Sequence, residues 1–113
     1  MASLATSSPQ LYGFLGNDLV ESFIKRVFVA HGLDMETSAE YHDALFTSVT
    51  EQLDNFILEK LDAEDMQKMY LLKGSNAPQS IITHYLNTQI PNLTVLVSDF
   101  LDTVFDSISK KLQ

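Results

Sequence analysis

The chain contains no cysteine among its 113 residues. That excludes a disulfide framework, a thiolate nucleophile and any cysteine-ligated zinc, iron–sulfur or haem site. It also fits a reducing compartment. Glycine is scarce: of four in all, only Gly13 and Gly16 lie close together, too few for a phosphate-cradling loop. There is no Gly-x-Ser-x-Gly elbow for a hydrolase nucleophile and no Asp-x-Asp-x-Asp-Gly calcium loop. No apolar run approaches the roughly eighteen residues that span a membrane. Met1-Ala2-Ser3-Leu4-Ala5-Thr6 lacks the basic start and apolar run of a secretory signal, so a cytoplasmic location is expected. Positive charge is in short supply too, seven bases against fifteen acids, for a net charge of -8. Phosphate backbones and anionic lipids repel such a surface, so direct binding to nucleic acid or membrane is not expected.

What the chain has in quantity is helical amphipathicity. Its hydrophobic share is 45%, ordinary for a globular domain. Residues 1–10, with Ser7-Ser8-Pro9, read as a flexible N-terminal tail. Residues 11–113 read as a single helical-bundle domain. Leu11 to Gly16 carries Tyr12 and Phe14 in a loop that packs onto the core. Asn17 or Asp18 is placed to cap a first helix, with Glu21 in capping-box spacing to Asp18. Leu19, Val20, Phe23, Ile24, Val27 and Phe28 form its inner stripe, Glu21 and Lys25 pair on its outer side, and Gly32 stops it.

Thr37-Ser38-Ala39-Glu40 reads as a capping box for the longest helix, which runs to about Leu61. His42, Leu45, Phe46, Val49, Leu53, Phe56 and Ile57 face inward, while Glu40, Asp43, Glu51 and Asp54 face solvent. Leu58 lands among those acids at about 100° per residue. It is either covered by the next helix or left as a contact point. Asp62 caps a third helix carrying Met66, Met69 and Tyr70 on one face, and Gly74 ends it. Asn76 is a plausible cap for a fourth helix, with Pro78 in its first turn and Ile81, Ile82, Tyr85, Leu86 and Ile90 inward. Pro91 terminates it.

The final helix follows with apolar residues from Leu93 to Leu112 at spacings of three and four, opposed by Asp99, Asp102 and Asp106. Its nine large apolar side chains at about 1.5–3 kcal/mol each make it structural before anything else. No segment alternates as a strand does. The expected class is all-α: a compact bundle of four to five amphipathic helices with short connections.

Charge is unevenly spread. Residues 1–65 hold twelve acids against Lys25, Arg26 and Lys60, whereas residues 66–98 contain no acid and carry Lys68 and Lys73. Charge depletion of this kind marks either an ordinary core or an interface.

From Leu58 to Ser107 the chain resembles a known grouping, carried by Leu58-Glu59-Lys60-Leu61-Asp62-Ala63-Glu64-Asp65, by Tyr85-Leu86, and by the Ile90-Pro91-Asn92-Leu93 joint. It resembles a small all-helical domain of unknown function from candidate-phyla bacteria with reduced genomes. The resemblance implies a bacterial helical domain and supplies no activity, so no functional residue is carried over from it. The present chain departs from it in using threonine, serine and aspartate in the last two helices instead of glutamate and lysine.

Candidate chemistry is thin. His31, His42 and His84 are the only side chains that ordinarily titrate near neutral pH. None has a histidine at i+4, so no helical metal pair exists. His31 reads as complementing its helix C-terminus, His42 as a core-edge residue with one hydrogen bond whose neighbours Glu40 and Asp43 point elsewhere, and His84 as solvent-facing. No catalytic residue, cofactor or metal is therefore expected.

Leu58, Met66, Met69 and Tyr70 are the candidate partner-contact residues, and Met66, Met69 and Tyr70 with Phe56 could alternatively line an apolar pocket. The expected function is non-catalytic: a protein-interaction or structural module, binding a protein partner or associating with itself through residues 66–98 or the final helix. Two alternatives are an acidic nucleic-acid mimic that inhibits a nucleic-acid-binding protein, and a carrier of a small apolar ligand.

Overall fold

Among the described residues five helices form where the apolar spacing places them: α1 Asn17–His31, α2 Ala39–Glu59, α3 Ala63–Gly74, α4 Gln79–Gln89 and α5 Leu93–Leu112. The computed structural model describes residues 11–112; the expected tail, residues 1–10, lies outside the described residues. The architecture is an all-α bundle. Helix α1 packs between α2 and α5, and α4 packs between α5 and α3. The molecule measures 42 × 42 × 23 Å, so it is a slab about two helix diameters thick.

The core follows the stripes. Val20, Phe23, Ile24, Val27 and Phe28 of α1 are buried, as are Leu45, Val49, Leu53 and Ile57 of α2 and Val97, Leu101, Val104 and Ile108 of α5. Aromatic pairs reinforce the seams: Phe23 meets Phe105 edge-on, and Phe56 stacks on Phe100 at 4.5 Å. Phe14 is completely enclosed, so the N-terminal loop is part of the core. Two expected core residues are not: Ile81 is 51% exposed and Leu112 is 38% exposed. Ile81 is displaced because α4 presents Ile82 and Leu86 to the core, one residue round the helix from the Ile81–Tyr85 line.

Capping is where expectation and structure part. Gly32, left-handed at φ 65°, ends α1 as expected, but of the expected N-terminal caps only Asp62 forms, its Oδ1 accepting the Asp65 N–H at 2.8 Å. Gly16, at φ 89°, is the residue that leads into α1, which places Asn17 and Asp18 already inside the helix. A side chain at Gly16 would be strained and would crowd Gln79, 3.2 Å from where its Cβ would stand.

The capping box at α2 does not close, because Asp34 to Ser38 forms its own turn. The Ser38 N–H donates to the Asp34 carbonyl at 2.8 Å, Thr37 Oγ1 donates to the same carbonyl, and the Ser38 side chain makes no cap bond. Asn76 is no helix cap; it turns the chain in the left-handed region at φ 57°. Ahead of Pro91, Ile90 is extended at φ -117°, ψ 105°, as the proline ring requires. Asn92, at φ 59°, then redirects the chain into α5.

Candidate functional site

Three polar clusters and several surface hollows stand out among the described residues. The first cluster overturns an expectation. Asp54, expected on the solvent side of α2, is 4% exposed. Its Oδ2 accepts the N–H of Tyr12 at 2.7 Å and of Gly13 at 3.1 Å, and its Oδ1 accepts the N–H of Phe14 at 3.2 Å. Gly13 takes φ 62°, which turns consecutive N–H groups toward one point, the usual geometry of an anion nest. Here the anion is a side chain of the same protein. The carboxylate pins the loop, and the loop seats Tyr12 and Phe14 against Tyr70, with Tyr12 and Phe14 stacked at 5.0 Å.

The second cluster joins α1 to α2. His42 Nε2 lies 2.6 Å from Glu21 Oε1 and its Nδ1 lies 3.0 Å from Asp43 Oδ1. Asp43 was expected to point away, and Glu21 was expected to pair with Lys25; both turn to the imidazole instead. Only the doubly protonated ring can donate to both carboxylates. The hydrogen bond to Asp43, then that to Glu21, raise the pKa of His42 above 6.5 against an opposing effect of burial. The hollow beside it, about 410 Å³, is lined by Asn17, Glu21, His42, Asp43, Phe46 and Thr47. With both ring nitrogens engaged by carboxylates, no lone pair is presented to a substrate. The arrangement ties two helices together.

The third cluster is Tyr85 of α4, whose hydroxyl donates to Asp65 Oδ1 of α3 at 2.7 Å. Burial first, and the Asp65 carboxylate next, push the Tyr85 pKa up to about 12. Of the other histidines, His31 Nε2 lies 2.8 Å from Ser109 Oγ at the far end of α5, and His84 is exposed as expected. Among the described residues no group of three His, Asp or Glu side chains could hold a metal ion, and no helix is long and apolar enough to cross a membrane.

The four candidate contact residues separate. Met69 is fully enclosed, so it fills the core and offers no surface. Leu58 and Met66 are half-buried against the core. Tyr70 alone reaches a surface hollow, of about 410 Å³, shared with Leu11, Tyr12, Lys73 and Gly74 at the tip of the α3–α4 hairpin.

Exposed apolar residues lie elsewhere, Val95 of α5 among them at 59%; the sequence reading places Ile81 inward and assigns no role to Leu71, Val29 or Met35. Leu71 at 69% and Ile81 at 51% flank the hairpin turn; Val29 at 74% and Met35 at 49% flank the α1–α2 loop. Leu71 could have been found, since two residues from Met69 it falls on the opposite side of α3. Val29 and Met35 line a cleft of about 390 Å³ floored by Ile24, Phe28 and Leu33. A further groove, about 380 Å³, runs between α1, α4 and α5, with Leu15, Leu19, Leu93, Val97 and Leu101 among its lining and Arg26 at its edge. Arg26 is engaged there already: its Nη1 contacts Asp102 at 2.9 Å and its guanidinium lies over Phe105. Compared with protein-family models, curated proteins and solved structures, the chain matches none of them, so the functional reading rests on these residues themselves.

Proposed function

We propose that the protein is a non-catalytic interaction module whose contact surface is the tip of the α3–α4 hairpin. One observation carries this reading. In a chain of net charge -8, the acid-free segment is not consumed by the core; it leaves Leu71 and Ile81 exposed around the turn, with Leu11 37% exposed nearby. Lys73 shares a hollow with Leu11 and Tyr70 at the same place. Apolar side chains without acids, rimmed by a base and an aromatic, have the composition of an interface centre. The polar clusters fit the same reading, because each of them holds the scaffold together and none frees a reactive group.

The test uses the whole chain as bait in an affinity capture from the source organism's lysate, beside the Leu71→Asp/Ile81→Asp variant, with light scattering on both proteins. A partner, or a mass above 12.7 kDa, that persists in high salt and is lost in the variant supports the module. A wild-type chain that stays monomeric and captures nothing the variant does not also capture refutes it. A second reading, a carrier of a small apolar ligand, draws on the groove between α1, α4 and α5; native mass spectrometry of the purified protein tests it by the presence of a retained small molecule.

A further inference from the structure

Helix α2 carries no lysine or arginine, so His42 is the one side chain of that helix able to take a positive charge. Its imidazole stands between Glu21 Oε1 at 2.6 Å and Asp43 Oδ1 at 3.0 Å. Two hollows meet there. One, of about 410 Å³, is bounded by Asn17, Phe46 and Thr47; the other, of about 390 Å³, is floored by Ile24, Phe28 and Leu33. Glu21 and His42 line both, so the hydrogen bond joining them is a bar across the seam between α1 and α2. The imidazole also lies 6.3 Å from the Phe28 ring and from the Phe46 ring, one at the edge of each hollow.

A cation beside the bar is unused. Lys25 lines the second hollow, stands at i+4 from Glu21 on α1, and makes no ion pair among the described residues. We propose that Glu21 is a proton-controlled latch. It holds His42 while the imidazole is charged and turns to Lys25 when the imidazole is neutral, which joins the two hollows into one cleft along the α1–α2 seam.

A charged imidazole donates from both nitrogens, to Glu21 and Asp43 at once. Loss of one proton to solvent leaves one N–H and one lone pair, and a carboxylate facing the lone pair is repelled. Asp43 keeps the remaining donor, being adjacent in sequence and having no lysine or arginine on its helix to turn to. Glu21 has an alternative, because glutamate four residues before lysine is the favoured order for a pair on a helix surface. Its side chain is half-exposed, so it changes partner without entering or leaving the core. The charges that face His42 are Glu21 and Lys25 from α1 and Asp43 from α2; the connecting loop brings uncharged Leu33 and Met35 to the same hollow. Glu36 and Glu40 line a separate hollow. The latch therefore opens as pH rises through the His42 pKa, which the hydrogen bonds to Asp43 and then Glu21 hold above 6.5. Neither hollow includes the hairpin tip, so the latch and the contact surface proposed above are tested separately.

The experiment is an NMR titration of the full chain from about pH 5 to about pH 9, spanning the ordinary and raised histidine range. A soluble gadolinium chelate reads the exposure of the Phe28 and Phe46 rings, the His42 ring signals read its own protonation, and circular dichroism checks that each variant is helical. In the wild type, paramagnetic relaxation of both phenylalanine rings is expected to rise in step with loss of the His42 proton, as the Lys25 Cε signal shifts. Glu21→Gln is expected to stay closed at every pH, since its amide accepts from the charged ring and donates to the neutral one. His42→Gln is expected to stay open at every pH, with Glu21 already on Lys25. Rings that remain equally protected while His42 titrates overturn the latch. So does a pH-dependent rise that persists in Glu21→Gln, or a His42→Gln chain as closed as the wild type at low pH.

Discussion

Replacing Asp54 tests the largest departure of the structure from the sequence pattern. A solvated carboxylate on a helix surface can be changed to alanine for less than about 0.5 kcal/mol. Asp54 instead accepts three backbone N–H groups while 4% exposed. Hydrogen bonds to a charged group contribute about 1.5–3 kcal/mol each, so three would sum to roughly 5–9 kcal/mol if nothing relaxed.

Relaxation reduces that figure. The Tyr12 and Gly13 contacts are only part-buried, so water replaces the carboxylate there, and removing a buried charge returns its desolvation cost. Only the Phe14 N–H is fully enclosed. The expected loss for Asp54→Ala is thus about 2–4 kcal/mol, a large part of the ~5–15 kcal/mol of a typical domain. Urea unfolding followed by circular dichroism measures it, with the slope checked for two-state behaviour. Asp54→Asn keeps the shape, offers one oxygen and turns an NH₂ group toward a backbone N–H, so a comparable loss is expected. Amide exchange at Tyr12, Gly13 and Phe14 should accelerate in both variants. A loss below about 0.5 kcal/mol for Asp54→Ala, with protection retained at those amides, would refute the loop-pinning account.

Two further outcomes follow from other polar groups. The His42 pKa is raised in the folded chain, so its stabilisation is complete below about pH 6.5, its unfolded value, and is lost as pH rises through the higher folded value. Stability of the wild type should therefore fall across that interval relative to His42→Gln, and NMR titration should show the His42 pKa dropping in Glu21→Gln; equal slopes in both proteins would count against the clasp. Thr50 is 4% exposed and its hydroxyl finds no partner, so Thr50→Val should raise stability by about 1 kcal/mol in the same urea assay, and a decrease would mean the hydroxyl is satisfied.

Five helices, their limits to within a residue or two, and most of the core were legible in the chain, because a 3.6-residue period in apolar side chains admits only one local solution. The Asp62 cap and the proline joint were legible for the same reason: their causes lie within a few residues of their effects. The sites were not. Asp54 shares its sequence spacing with the solvated acids of α2, and only a loop some forty residues earlier in the chain decides that it is buried. Glu21 could pair with Lys25 on its own helix or reach across to His42, and the approach of α2 settles the choice. Ile81 and Ile82 differ by one step round α4, and the position of α5 determines which of them the core takes. Local periodicity fixes which faces are apolar. How the helices are arranged around one another fixes which of those faces remain uncovered, Leu71, Ile81, Val29 and Val95 among them.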